Sequence, residues 1–445
     1  MIRRGVSLSK ELWVSLTISS AALFTLCSYE FLRSPSNVLF KASYGAERLP
    51  IIMAIMPIAV FLILYFYGWL LSKIGPRRTL FWTTLLSSGM LFTSYIAIQN
   101  GSSLASALLY LFREAYIVLL IEQYWSFINS TLEQSEAKKL NGPITGLASL
   151  GAITGGILVS QLAGPLGTQA MLLFSAGLLI PAAFISDLGY AHCGEPEPTR
   201  QEKGGKKGHL ALNVFKTSPL LTLLLMVVMT TQVVSAVLGL SFQTMLQDVI
   251  PNMDQQTAYQ GKFYATINAV AAAIQFIAAP ILMSLIPAGL IHLGLPLIHI
   301  SAIAFFILHP SLQSCALAYM LFKSIDYSLF RASKEMLYIP LSFDARYRAK
   351  EVIDVFGYRF SKGGSSLLIA VVQKTGVLMD GLYGWIALSA ATLWTLLIIP
   401  IIRQLRHPRL EETFTSAFPQ VQNNLKEALP RVFFKGFRNT ADKEP

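Results

Sequence analysis

Nothing in this chain suggests a disulfide framework or a metal centre. Its three cysteines, Cys27, Cys193 and Cys315, are scattered without a Cys-x-x-Cys pair, and its six histidines are equally dispersed. Charge is scarce as well. Charged residues make up 13% of the chain, against roughly 25% in an ordinary soluble domain. No phosphate loop of the form GxxxxGK[ST] occurs, and the Gly-Gly-Lys-Lys-Gly run at 204–208 has the wrong spacing and follows no strand. GxSxG and HExxH are missing too. These absences argue against nucleotide-hydrolysing pumps, serine hydrolases and zinc peptidases, and they leave no catalytic constellation and no call for a cofactor.

What is present is apolar length. Hydrophobic residues make up 53% of the chain, and mostly apolar runs of about 18 residues or more recur, each long enough to cross a hydrocarbon core of roughly 30 Å. The pattern predicts an all-α membrane protein of about twelve spans: 11–32, 50–71, 79–97, 104–129, 142–163, 169–190, 215–240, 260–284, 288–308, 311–333, 351–373 and 381–402. The basic, then apolar N-terminus has the outline of a secretory signal. It lacks an Ala-x-Ala-type cleavage site and is read as a retained first helix. No Ser/Arg-rich transit extension precedes it.

A Gly-, Pro- and charge-rich stretch between the sixth and seventh spans reads as a linker. The expected organisation is an N-terminal six-helix bundle (1–190), a cytoplasmic linker (191–213), a C-terminal six-helix bundle (214–402) and a cytoplasmic tail (403–445). Basic residues collect on one side: Lys73, Arg77 and Arg78; Lys138 and Lys139; Arg200, Lys203, Lys206 and Lys207; Arg346, Arg348 and Lys350; Arg403, Arg406 and Arg409. Arg33, Lys41 and Arg48, assigned to the first outside loop, are the exceptions. The positive-inside rule then places both termini in the cytoplasm. The formal charge of +11 is largely this topology signal, so nucleic acid is not an expected partner.

The halves echo each other. Tyr110-Leu-Phe-Arg113 parallels Leu321-Phe322-Lys323, Ala137-Lys138 parallels Ala349-Lys350, and Gly151 falls opposite Gly363. Weak parallel six-helix repeats are the signature of major-facilitator architecture. Gly68-Trp-Leu-Leu-Ser-Lys73-Ile-Gly75-Pro-Arg77-Arg78 resembles the loop motif of that superfamily, with Ser72 in place of the usual acid.

Charge inside these spans marks the candidate site. An ionisable residue in a bilayer costs about 2.5–3.5 kcal/mol on insertion scales and is kept mainly where it faces protein or a wet cavity. Span four carries Arg113, Glu114 and Glu122. The two acids lie about 80° apart on one broad face, and Arg113 can pair with either, or with Glu30 of span one. In span ten Lys323 and Asp326 are three apart and can pair, and Lys334 lies about 20° from Lys323 around a helix. Arg331 and Glu335 read as lying nearer the cytoplasmic end, where snorkelling is an alternative. Span eleven offers Asp354, Arg359 and Lys362 beside Gly363 and Gly364. Lys262 joins the set if it lies deep enough, and Gln123, Gln232 and Gln275 complete the polar inventory. The cations suit a phosphate- or carboxylate-bearing solute, whereas most Tyr, Trp and Phe read as packing residues.

Two stretches carry a family resemblance: SEAKKLNGPITGLASLGAITGG (135–156) and SKEMLYIPLSFDARYRAKEVIDVFGYRFSKGGSSL (333–367). They resemble the non-mitochondrial ATP/ADP translocases, the nucleotide transporter family of plastids and obligate intracellular bacteria. The resemblance implies a twelve-helix facilitator-like fold and nucleotide counter-exchange. It puts substrate contacts at Glu136 and Lys362, with Lys334 and Glu335 as further candidates. Together with the residue pattern, it gives Arg113, Glu136, Lys323, Lys334 and Lys362 as substrate-binding, and Glu30, Glu114, Glu122, Asp326, Asp354 and Arg359 as ion-pair or coupling residues. The expected protein is a monomeric antiporter for an anionic small molecule in the inner membrane of a bacterium. A facilitator for another, proton-coupled anionic solute is the alternative, with Glu114, Glu122 or Asp326 carrying the proton.

Overall fold

The computed structural model describes residues 10–131, 134–193, 215, 218–338, 352–376 and 381–405; side chains at 10–12, 14, 122, 125–141, 143, 193, 354–356 and 405 lie outside that description. All regular structure among the described residues is helical. The helices are α1 (Lys10–Tyr44), α2 (Leu49–Gln99), α3 (Ser103–Thr131), α4 (Gln134–Leu166), α5 (Met171–Cys193), α6 (Pro219–Val249), α7 (Met253–Ala273), α8 (Ala279–Leu285), α9 (Ala288–Leu308), α10 (Leu312–Ile325), α11 (Arg331–Tyr338), α12 (Tyr358–Gln373) and α13 (Leu382–Leu405). Helix α2 holds two crossings, broken at Gly75, whose φ of 78° and ψ of 167° only glycine takes up readily. Helices α7 and α8 form one crossing through a π-turn at Ile274–Ala278, and α10 and α11 another through Asp326–Phe330. A third π-turn, Val352–Gly357, opens α12. These pieces make the twelve crossings expected from the sequence.

Nine segments among the described residues are long and apolar enough to span by composition alone. One of them is the double crossing α2. The α10–α11 and α12 crossings are missing from that set because they carry the charges discussed below. The outward face of the first arm of α2 is largely apolar, as at Ile58, Phe61 and Leu62.

Helix α1 runs to Tyr44 instead of ending near residue 32. Arg33 and Lys41 are therefore buried in a helix rather than exposed in an outside loop. Arg33-Ser-Pro-Ser reads as a stop because proline removes a backbone donor. The structure continues the helix through Pro35, and Ser36 Oγ donates to the Arg33 carbonyl at 3.1 Å.

The first five helices pack with α1 against α3, α4 and α5, and α2 against α3 and α5. Helices α6 and α9 close on α13. Two long seams join these groups, α4 on α7 and α2 on α12. Glycines make both seams. A Cβ at Gly156 would stand 2.9 Å from the Gly261 carbonyl, and one at Gly363 would stand 2.5 Å from Pro57 Cγ. Gly151 faces Leu23 of α1, in its own half. Gly363 is thus matched by Gly156 in meeting the other group of helices.

Candidate functional site

Helices α1, α2, α3, α4, α6, α7, α10 and α12, with Arg331 of α11, enclose a central cavity of about 560 Å³, within the range of small-molecule sites. Helix α1 presents Tyr29, Glu30, Arg33 and Asn37 to it, and α3 presents Tyr110, Arg113, Glu114, Ile117 and Ile121. Both sets follow the three- and four-residue steps of one helical face. The tenth crossing lines the cavity with Tyr319, Lys323, Tyr327 and Arg331. Steps of four drift by about 40° each around an α-helix. The π-turn at Asp326–Phe330 has a wider turn and takes up that drift, keeping all four in line.

Six cations line the space (Arg33, Arg113, Lys323, Arg331, Arg359 and Lys362) against two carboxylates, Glu30 and Glu114, among the described lining residues. Arg113 Nη2 donates to Glu114 Oε1 at 2.8 Å, and Nη1 donates to Asn37 Oδ1 at 2.5 Å and to Ser36 Oγ at 3.2 Å. Glu114 Oε2 lies 3.7 Å from Lys362 Nζ. Glu30 Oε1 accepts from Asn268 at 2.9 Å and lies 3.5 Å from Arg33 Nη1. Aromatic faces take part of the cationic load. Arg33 sits 3.6 Å over the Tyr264 ring, Arg113 4.3 Å over Tyr110, and Lys323 5.3 Å from the Tyr327 centroid.

The structure therefore gathers Arg113, Glu114, Glu30, Lys323, Arg359 and Lys362 around one space. Other expectations change. Arg113 pairs with Glu114, not with Glu30. Lys323 and Asp326 make no ion pair: Lys323 faces rings, and Asp326 accepts the Tyr358 hydroxyl at 2.8 Å. Lys334 is buried but outside the cavity lining, because the π-turn rotates the residues after it away from the stripe that an unbroken helix would give. Arg331, read as nearer the cytoplasmic end, lines the cavity. Lys262 is exposed on α7 and takes no part. The side chains of Glu122, Glu136 and Asp354 lie outside the described residues.

Residues not expected here are Arg33, Asn37, Gln243 and Asn268, and the tyrosines at 29, 110, 264, 319, 327 and 358. A cavity rich in both cations and phenol rings had one legible signal, the four-residue recurrence of Tyr319, Lys323, Tyr327 and Arg331.

One end of the cavity is closed by polar contacts between the two groups of helices. Lys41 Nζ donates to the Gln243 carbonyl at 3.1 Å. Asn37 and Gln243 both donate to Gln260 Oε1, at 2.9 and 3.0 Å. Thr168 donates to Asp254 Oδ1 through its backbone N–H at 2.6 Å and through its hydroxyl at 2.7 Å. Towards the other end, Arg331 is exposed. On that side Arg77 clasps Asp187 of α5 through two bonds of 2.6 and 2.9 Å. Ser72 in the same segment turns back on the Trp69 carbonyl.

The profile of the TLC ATP/ADP transporter family matches residues 196–404. The ADP,ATP carrier protein 1 of Chlamydia muridarum is 25% identical over 405 residues, which cover 80% of this chain and 73% of that protein. The carrier of the same name from Rickettsia conorii is 30% identical over 165 residues, 33% of this chain and 32% of that protein. Among solved structures, the nucleoside transporter NupG superposes with a TM-score of 0.64 at 13% identity, covering 88% of this chain and 99% of that one. A bacterial homologue of the iron transporter ferroportin in its inward-facing state gives 0.64 at 12% identity, covering 87% and 98%. At such identity these structures establish a shared fold, the major-facilitator arrangement.

Proposed function

We propose that this chain, similar to the TLC ATP/ADP transporters, is a secondary transporter that exchanges nucleotides across a bacterial inner membrane by alternating access. One observation carries the reading: among its described lining residues, a cavity between two helix groups has six cations against two carboxylates and is walled by tyrosines. A polyanion with an aromatic base suits such a lining. Lys323, Arg331, Arg359 and Lys362 offer charge-assisted hydrogen bonds to phosphate, and the half-buried rings at 29 and 327 offer faces for a base. The two halves, 1–190 and 214–402, rock about this site. With both termini cytoplasmic, the closed end carrying Lys41, Thr168 and Asp254 is the outer one, and the molecule faces inward. It works as a monomer, without enzymatic chemistry and without binding nucleic acid.

Reconstitution in liposomes preloaded with unlabelled nucleotides tests this. Labelled ATP or ADP enters wild-type vesicles only by counter-exchange, and Lys323→Ala and Lys362→Ala weaken uptake while leaving expression intact. A panel of nucleotides that gives no exchange overturns the reading, and uptake driven by a pH gradient in its place points to a proton-coupled anion carrier.

A further inference from the structure

Glu114 occupies an unusual position. Among the described residues, the Glu114–Lys362 contact is the ion pair that crosses between the helix groups, from α3 to α12. Both side chains are reached from the cavity, at 20% and 24% exposure. Arg113 holds one carboxylate oxygen at 2.8 Å from behind, so the other is presented towards Lys362. At 3.7 Å that second contact is an ion pair and not a hydrogen bond. A phosphate oxygen at Lys362 would sit at about 2.7–2.9 Å and carry more charge, so it displaces the carboxylate.

We propose that Glu114 is a built-in counter-anion that makes the carrier an exchanger. When the cavity is empty, Glu114 takes the place of phosphate on Lys362 and ties α3 to α12, holding the halves in one arrangement. A bound phosphate takes Lys362 over, releases the tie and frees the loaded carrier to reorient. The empty carrier cannot return alone, so flux needs solute on both sides. The inference rests on the nucleotide reading for the identity of the anion.

The test compares wild type with Glu114→Gln in liposomes that are empty or preloaded with ATP. In the wild type, preloading stimulates uptake of labelled ATP by about 10-fold or more, the scale of a coupling free energy of 1–3 kcal/mol. In the variant the ratio falls towards one and the apparent affinity for ATP rises, since the internal competitor is gone. If Glu114 only orients Arg113, affinity falls or stays and the ratio remains that of wild type, which overturns the proposal. If the variant moves no nucleotide, spin labels at the exposed closed-end positions Leu166 and Val249 decide in nucleotide-free vesicles. A second, longer distance in Glu114→Gln supports the tie, and a distribution equal to wild type refutes it. A wild type that exchanges no nucleotide removes the transport reading alone, because the spin-label comparison needs no nucleotide.

Discussion

Arg33 is buried in α1 with its guanidinium 3.6 Å above the Tyr264 ring and 3.5 Å from Glu30. Removing a carboxylate or guanidinium from water costs several kcal/mol, and here a ring face, a carboxylate and the Tyr327 hydroxyl at 3.5 Å share the compensation. The face matters more than the phenol. Tyr264→Phe is expected to keep transport and thermal stability near wild type, while Tyr264→Leu loses about 1–2 kcal/mol, read as a lower melting temperature and slower exchange. Arg113, Glu114 and Lys323 were legible in the sequence because each interrupts a long apolar run, where a charge is too costly to be incidental, and Lys362 because it lies in the Ser-Lys-Gly-Gly stretch that carries the family resemblance. Arg33 was not, because Ser-Pro-Ser-Asn follows it and imitates the end of a helix. The tyrosines outside the tenth crossing were hidden because a ring that packs and a ring that lines a cavity leave the same trace in composition.

At the scale of the helix, the seams depend on absent side chains. The backbones of α4 and α7 meet at Gly156 and Gly261, and a Cβ at Gly261 would stand 2.7 Å from the Ser160 amide nitrogen. Gly261→Val is therefore expected to separate α4 from α7, lowering the melting temperature in detergent and abolishing exchange. Gly164→Ala, in α4 with open space around it, is expected to leave both unchanged. The number and type of crossings could be read from hydropathy. The π-turns could not, since an extra residue in a turn leaves no compositional mark, and it is the turn at Asp326–Phe330 that admits Arg331 to the cavity and excludes Lys334. Glycines announced close packing, but only the folded chain shows that Gly363 meets the other half while Gly151 meets its own.

For the molecule as a whole, the closed end sets the state described here. The hydroxyls of Thr168 and Thr257 lie 2.9 Å apart across it. A Thr168→Cys/Thr257→Cys pair is expected to cross-link under mild oxidant, stopping exchange, and to recover with reductant; exchange that survives a complete cross-link would show that this end need not open. The architecture was legible from the spacing of apolar runs and basic loops, whereas which end is shut depends on contacts between residues more than 80 positions apart. The double crossing α2 adds a mechanical point. Its two arms meet at a single non-helical residue, Gly75, and the elbow is pinned to α5 by Arg77 on Asp187. A one-residue elbow has no slack to absorb a displacement. One arm meets Gly363 of α12 through Pro57, so the same helix touches both groups. The two crossings have the geometry of a bell crank, with one arm on α12 and the elbow pinned to α5.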